Sequence, residues 1–167
     1  MIRVVEADEY AAVARLIVDV YAAELGETLS DDYRVHLADV ARRAERAVVL
    51  VAVRAGELVG SITYVPGPES DYAEFRAPDE AGIRMLVVAP HAQRQGVGTA
   101  LVHACADRAR GAGKARISLH TTPQMAAAQR MYEGLGFRRA TERDWAPEPG
   151  VELLGYVLEL GGATTGR

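Results

Sequence analysis

Only one cysteine, Cys105, occurs in the 167 residues, so no internal disulfide can form, and its place on an apolar helical stripe makes it a core filler before a reactive thiol. A reducing, cytoplasmic setting follows. Basic charge is also short: 19 Lys and Arg against 23 Asp and Glu leave a net charge of -4, without the clustered positive surface that nucleic-acid phosphates demand. Lysine is nearly missing, with Lys114 alone beside eighteen arginines, an imbalance better assigned to genomic base composition than to function. No apolar run approaches the ~20 residues of a membrane span. The start, Met1-Ile2-Arg3, runs straight into Val4-Val5-Glu6-Ala7-Asp8 with no apolar leader core, so a soluble, unprocessed protein with no membrane partner is expected. His36, His91, His103 and His120 show no ligand spacing with one another or with Cys105, which argues for no metal, and no serine sits in a nucleophile elbow. Internal repeats are also lacking.

What is present fits one globular domain over residues 1–160, with 49% apolar residues to build its core, followed by a Gly- and Thr-rich tail at 161–167 expected to be flexible. Ile2–Glu6 reads as a strand, and Asp8 starts a helix with Val13, Leu16, Ile17, Val20 and Tyr21 on one face. Ser30, with Asp31 and Asp32 behind it, starts a second helix whose stripe is Tyr33, Leu37, Val40 and Ala44. Arg42, Arg43 and Arg46 are expected on its solvated face. Ala47–Val53 and Leu58–Val65 form a hairpin of buried strands turned at Ala55-Gly56-Glu57. Residues 66–81 are loop-like and acidic, with Glu69, Asp71, Glu74, Asp79 and Glu80; such loops are mostly solvated, and the functional alternative is a lip that attracts a cationic amine.

Gly82–Val88 is the next strand, and it leads through Ala89-Pro90-His91-Ala92-Gln93-Arg94-Gln95-Gly96-Val97-Gly98-Thr99 into a helix with Val97, Ala100, Leu101, Ala104 and Cys105 on its buried face. A strand, a glycine-bearing turn and a helix opening make a phosphate cradle, because the first helical turn presents unpaired N–H groups at the positive end of its dipole. Gly96 and Gly98 remove Cβ atoms that would hold a phosphate off. No lysine follows the second glycine as a Walker loop needs, and Leu101 stands where a dinucleotide fingerprint needs its third glycine. Ala115–Thr121 follows as a strand, Ile117 and Leu119 facing in and His120 on the other face; strand, crossover helix and strand force a parallel pair within a mixed sheet. Thr122-Pro123 starts a helix carrying Met125, Ala128, Met131, Tyr132 and Leu135, and Phe137–Trp145 and Val151–Leu160 read as final strands joined by Ala146-Pro147-Glu148-Pro149-Gly150.

The cradle Gln93-x-x-Gly96-x-Gly98 behind Leu86-x-Val88-x-Pro90 resembles the acyl-CoA-binding motif of the GNAT superfamily of N-acyltransferases, in which Gln is an accepted variant at the first position. Ala128-Gln129-Arg130-Met131-Tyr132-Glu133-Gly134-Leu135-Gly136-Phe137 is similar to that family's A-x-x-L-Y-E-x-L-G-F signature, and the element order matches over nearly the whole chain. The resemblance implies an α/β (α+β) single domain with a twisted mixed sheet of about seven strands flanked by about four helices. It also implies an N-acetyltransferase with acetyl-CoA as co-substrate, held where the fourth and fifth strands splay. Gln93, Arg94, Gln95, Gly96, Val97, Gly98 and Thr99 would then contact the pyrophosphate, Leu86, Val87 and Val88 would pair with the pantetheine, and Ala128 would join the cofactor set.

By the same resemblance Tyr132 would protonate the departing thiolate as general acid. For the base, Gly82 stands where many relatives have a glutamate, which leaves Glu80, His120 or no dedicated group at all; His120 has an ordinary pKa near neutrality. Met125 replaces an asparagine that holds CoA in many relatives and cannot donate that hydrogen bond. The expected acceptor is a primary amine on a small molecule, attacked in a ternary complex. The alternatives are a protein N-terminus or lysine as acceptor, and a non-catalytic acyl-CoA sensor of the same fold. A homodimer is the commonest expectation for such a fold.

Overall fold

The computed structural model describes residues 1–161, so the expected tail lies almost wholly outside the described residues. Among the described residues eight strands and five α-helices follow in the order β1 (Ile2–Val4), α1 (Tyr10–Leu25), α2 (Asp31–Ala38), α3 (Val40–Arg46), β2 (Val48–Arg54), β3 (Glu57–Val65), β4 (Glu80–Val88), α4 (Val97–Gly111), β5 (Arg116–Thr121), α5 (Ala126–Gly134), β6 (Arg138–Arg139), β7 (Trp145–Glu148) and β8 (Val151–Glu159). The sheet runs β1-β2-β3-β4-β5-β8-β6, with β7 paired to β8 off that path. All pairings are antiparallel except β4 with β5, the pair joined by the α4 crossover.

The sheet is covered on both faces, which is why β2 reads as an unbroken apolar run. Leu50 and Ala52 face α4 and α5 and pack with Ile62, Ile83, Leu101, Cys105 and Ile117. Val49 and Val51 face α1–α3 and pack with Val13, Ile17, Leu37, Val40 and Val87. Each such buried aliphatic side chain contributes about 1.5–3 kcal/mol.

Ser30 caps α2 as expected, its Oγ accepting from the Tyr33 N–H at 3.1 Å. The single helix expected over residues 31–46 is two. The chain breaks at Asp39, whose carboxylate caps α3 by accepting from the Arg42 N–H at 3.2 Å. Arg43, expected in solvent, is fully buried: its guanidinium donates to the carbonyls of His36 (3.0 Å) and Leu37 (2.9 Å), satisfying the end of α2. Arg42 and Arg46 are the solvated pair, both reaching Asp71 and so pinning the 66–79 loop to α3. The last strands also differ. Of the expected Phe137–Trp145 run only Arg138–Arg139 and the terminal Trp145 are strand; Trp145 opens β7, which runs on through the expected linker to Glu148 as an edge strand that tolerates Pro147 and turns into β8 at Pro149-Gly150. Finally α5 begins at Ala126, not at Pro123.

Candidate active site

The two central strands separate where chemistry needs space. β4 and β5 pair only over Glu80–Gly82 and Arg116–Ser118. Beyond that β4 follows β3 alone, leaving the other edge of Ile83–Val88 without a strand partner. A bulge sits in this free stretch: Ser61 and Thr63 of β3 face Val87 and Arg84, so Met85 and Leu86 together oppose Ile62, and Met85 takes φ +55°. The extra residue flips the alternation. Ala81 and Ile83 pack on the α4–α5 side, and past the bulge Leu86 and Val88 do so. Met85 and Val87 face α1–α3.

The strand ends in the cradle. Pro90–Ala92 forms a turn of 3-10 helix, Arg94 and Gly96 adopt φ +60° and +84°, and α4 opens at Val97. The Gln93 side chain donates to the Val88 carbonyl at 3.1 Å and that of Gln95 to the His91 carbonyl at 3.0 Å, so both glutamines brace the turn from within. The first intrahelical bond runs from the Ala100 N–H to the Gly96 carbonyl at 3.0 Å. The N–H groups of Gly96, Val97, Gly98 and Thr99 therefore lie ahead of the helical ladder, and no side chain caps them. These donors fit the diphosphate of an acyl-CoA at the positive end of a 15-residue helix. The two glycines serve different ends. A Cβ on Gly96 would meet open space, and its left-handed φ is what demands glycine. A Cβ on Gly98 would come 3.1 Å from Met131 Sδ and 3.6 Å from Val88 Cγ2, so that glycine admits α5 rather than a ligand.

A cavity of about 940 Å³ opens between the splayed strands, α1–α2, the start of α5 and the β7–β8 hairpin. Of the residues expected at the site it is lined by Leu86, His120, Ala128 and Tyr132; Val87 is buried in the α1–α3 core, and Gln93–Thr99 form the separate cradle beyond. Met125 lines it too, its sulfur 3.7 Å from the Thr121 hydroxyl. Tyr132 is 5% exposed, its ring against Phe137 and Tyr156 and its face on the cavity. Burial raises its pKa, so the hydroxyl keeps its proton over the physiological range.

The two residues expected as bases are both engaged. Glu80 is 1% exposed and outside the cavity lining, with Arg143 donating to both its oxygens at 2.5 and 2.9 Å and Arg116 3.6 Å away. Burial works against its charge, but these partners more than offset that and hold its carboxyl below the usual range. His120 has Nδ1 3.2 Å from Glu74 Oε1 and Nε2 2.9 Å from the Arg143 carbonyl. The carbonyl and an ionised Glu74 both accept, an arrangement that favours the doubly protonated ring. Burial would lower its pKa, yet the Glu74 bond and the carbonyl raise it above the ordinary value. Its nitrogens are committed to these partners.

Glu74 and His36 line the cavity although neither was among the expected catalytic or cofactor-binding residues. Glu74 comes from the acidic loop, which folds over Gly82: a Cβ there would lie 2.7 Å from the Phe75 ring, so this glycine admits Phe75 and with it Glu74. Burial opposes the Glu74 charge, and His120 and Arg84 outweigh it to leave the carboxyl below its usual range. His36 also lines the cavity; burial, then Arg84 and Arg43, lower its pKa and keep it neutral at pH 7. Among the described residues no group of three or more His, Cys, Asp or Glu is placed to hold a metal ion, and no helix is long and apolar enough to cross a membrane.

A mixed sheet splayed beside a bulge, with unpaired N–H donors at the end of the free strand and a buried tyrosine lining the chamber beside it, is the architecture of an acyl-CoA-dependent acyltransferase. The family model described as "Acetyltransferase (GNAT) family" matches residues 11–137, and the chain belongs to that family. Over 65 residues it is 42% identical to the [ribosomal protein bS18]-alanine N-acetyltransferase of Escherichia coli K12, a match that covers 39% of this chain and 44% of that relative's length. The fold is similar to an acetyltransferase of the GNAT family from Staphylococcus aureus Mu50, with TM-score 0.77 and 16% identity over 96% of this chain and 98% of that one. It is also similar to YncA of Salmonella typhimurium, solved with its cofactor acetyl-CoA, with TM-score 0.67 and 22% identity over 100% of this chain and 97% of that one.

Proposed function

We propose that the protein transfers the acetyl group of acetyl-CoA to a primary amine of a small-molecule acceptor, by direct attack in a ternary complex. The observation that carries this is the continuity of the free β4 edge with the unpaired N–H groups of residues 96–99 on one side and the 940 Å³ chamber on the other. Gly96 to Thr99 would hold the diphosphate, with Arg94 beside them, and the free edge at Leu86–Val88 would accept the pantetheine as an added strand. The co-substrate supplies an activated acetyl thioester. A backbone N–H on that edge polarises its carbonyl, in the manner of an oxyanion hole. The Tyr132 hydroxyl, kept protonated by burial, gives its proton to the thiolate as the carbon–sulfur bond breaks.

On the acceptor side Glu74 holds the amine, and its low basicity makes it an anchor rather than a final proton sink. Water in the open cavity carries the proton away, and His36 is the neutral lining group able to take it. Glu80 and His120 act by position: Arg143 binds Glu80 through its side chain and His120 through its carbonyl, so the ion pair sets the imidazolium that in turn sets Glu74.

A protein acceptor is the second reading, favoured by the name of the E. coli relative, an alanine N-acetyltransferase of a ribosomal protein. Thiol release from acetyl-CoA, measured across amino acids, polyamines, aminoglycosides, arylamines and alanyl peptides, separates the two. Turnover confined to small amines supports the proposal. Turnover confined to the peptides overturns its acceptor, and silence from the whole panel with acetyl-CoA bound overturns the transfer itself.

A further inference from the structure

Arg84 is the side chain whose chemistry the acetyl transfer leaves unused. It sits on β4 immediately before the bulge residue Met85 and lines the cavity. Three other arginines hold their carboxylates through two short bonds: Arg3 with Glu9 at 2.9 and 2.7 Å, Arg139 with Asp144 at 2.7 and 2.7 Å, and Arg143 with Glu80 at 2.5 and 2.9 Å. Their side chains are 32%, 30% and 29% exposed. Arg84 is less exposed, at 20%, yet its nearest carboxylate oxygen, Glu74 Oε2, is 4.0 Å away, beyond hydrogen-bond reach. Its hydrogen bond to the Tyr72 carbonyl is long at 3.4 Å. A guanidinium offers five donors in a planar fork that matches a carboxylate. Arg84 lies over the Tyr72 ring, 5.8 Å from its centre, and meets the Tyr33 side chain, but no carboxylate fills its fork at the cavity wall.

The surrounding charge makes the same point. Glu74 is shared, one oxygen 3.2 Å from the His120 imidazolium and the other 4.0 Å from Arg84, so two cations face one anion on this wall. The remaining carboxylates of the lining, Asp32 and Glu152, belong to α2 and β8. A cation with an unfilled fork lies beside the carboxylate that anchors the amine, two residues before the strand edge assigned to the thioester. That pairing suits a zwitterion.

We infer that the acceptor is an amino acid or similar amine carrying a free carboxylate a few bonds from the nitrogen, and that Arg84 binds this carboxylate. The inference rests on the acetyl-transfer proposal and narrows it. It excludes a peptide N-terminus, where the neighbouring group is a neutral amide.

The test compares α- and β-amino acids with their own amides and with alanyl tripeptides as acceptors, following CoA thiol release with the full chain. At least one free amino acid is expected to exceed its amide about tenfold or more in kcat/KM, mainly through KM, as lost charged hydrogen bonds require. In Arg84→Gln that ratio should collapse toward one, and Arg84→Lys, which keeps the charge without the fork, should keep part of it. Amides equal to or better than the acids overturn the inference, as does a preference that survives Arg84→Gln, or failure of every free amino acid. Turnover of amides or peptides in that case leaves the acetyl transfer standing. If no acceptor releases thiol while acetyl-CoA binds, both readings fall together.

Discussion

Replacing Glu80 separates a structural carboxylate from a catalytic one. Glu80 is 1% exposed and takes two hydrogen bonds from Arg143, while Arg143 is 29% exposed. Breaking a buried pair from one side costs about 3–5 kcal/mol when the survivor stays dry. Here Arg143 can turn toward water, so Glu80→Ala should cost nearer 2–4 kcal/mol, and Glu80→Gln, which keeps the shape and one acceptor, about half of that. For a domain of this size each kcal/mol moves Tm by roughly 2–4 °C, so the alanine variant should melt about 4–16 °C lower. The carboxyl is held below its ordinary value in the folded state, so its contribution is present above the unfolded pKa, near 4.3, and is lost as pH falls through the lower folded value. Denaturant melts between pH 3 and 7 should therefore converge for wild type and Glu80→Gln at the acid end. Thiol-release assays well below the melt should leave Glu80→Gln within about fivefold of wild type, since the loss of a general base costs 10²–10⁴. A variant as stable as wild type but inactive would refute this account and make Glu80 the base.

Three further outcomes follow from the geometry. Gly96→Val forces a β-branched residue to φ +84°, which costs about 1–3 kcal/mol, so the loop should relax and acetyl-CoA affinity by calorimetry should fall tenfold or more; unchanged affinity would remove the cradle assignment. The His120 ring should titrate by NMR above its ordinary 6.5, and Glu74→Gln should bring the midpoint down. The pair's stabilisation is then complete below that ordinary value and lost as pH rises through the folded one; a midpoint at or below 6.5 would contradict the doubly hydrogen-bonded imidazolium. Burial pushes the Cys105 thiol up to about 12, so a thiol reagent should leave the folded protein unmodified and label it only on denaturation.

The parts of the fold legible in the sequence are those set by local rules. The α4 stripe, the Ser30 cap and the hairpin at Ala55–Gly56 each depend on residues a few positions apart, and the crossover between β4 and β5 follows from their order. What was not legible depends on distant partners. Arg43 reads as surface because its role is to satisfy the His36 and Leu37 carbonyls at a break that Asp39 creates. Residues 146–150 read as a linker because Pro147 forbids a central strand but not an edge one, and 146–148 are strand all the same. At the site the cradle was visible, since glycines, glutamines and helix opening are contiguous, although Gly98 turned out to serve helix packing. Glu74 was legible only as one of five acids in a loop that could attract an amine; what singles it out, its contact with His120, spans 46 residues. Arg84 was hidden because a strand arginine reveals nothing of how its fork is filled.

The most direct test of the acetyl-transfer account is Tyr132→Phe, measured for acetyl-CoA binding and for turnover with whichever amine the wild-type protein accepts. Removing the hydroxyl leaves the ring against Phe137 and Tyr156, so affinity should stay within about twofold while turnover falls on the order of 100-fold. Turnover equal to wild type would contradict the role given to this tyrosine, and with it the path from cradle to chamber on which the account depends.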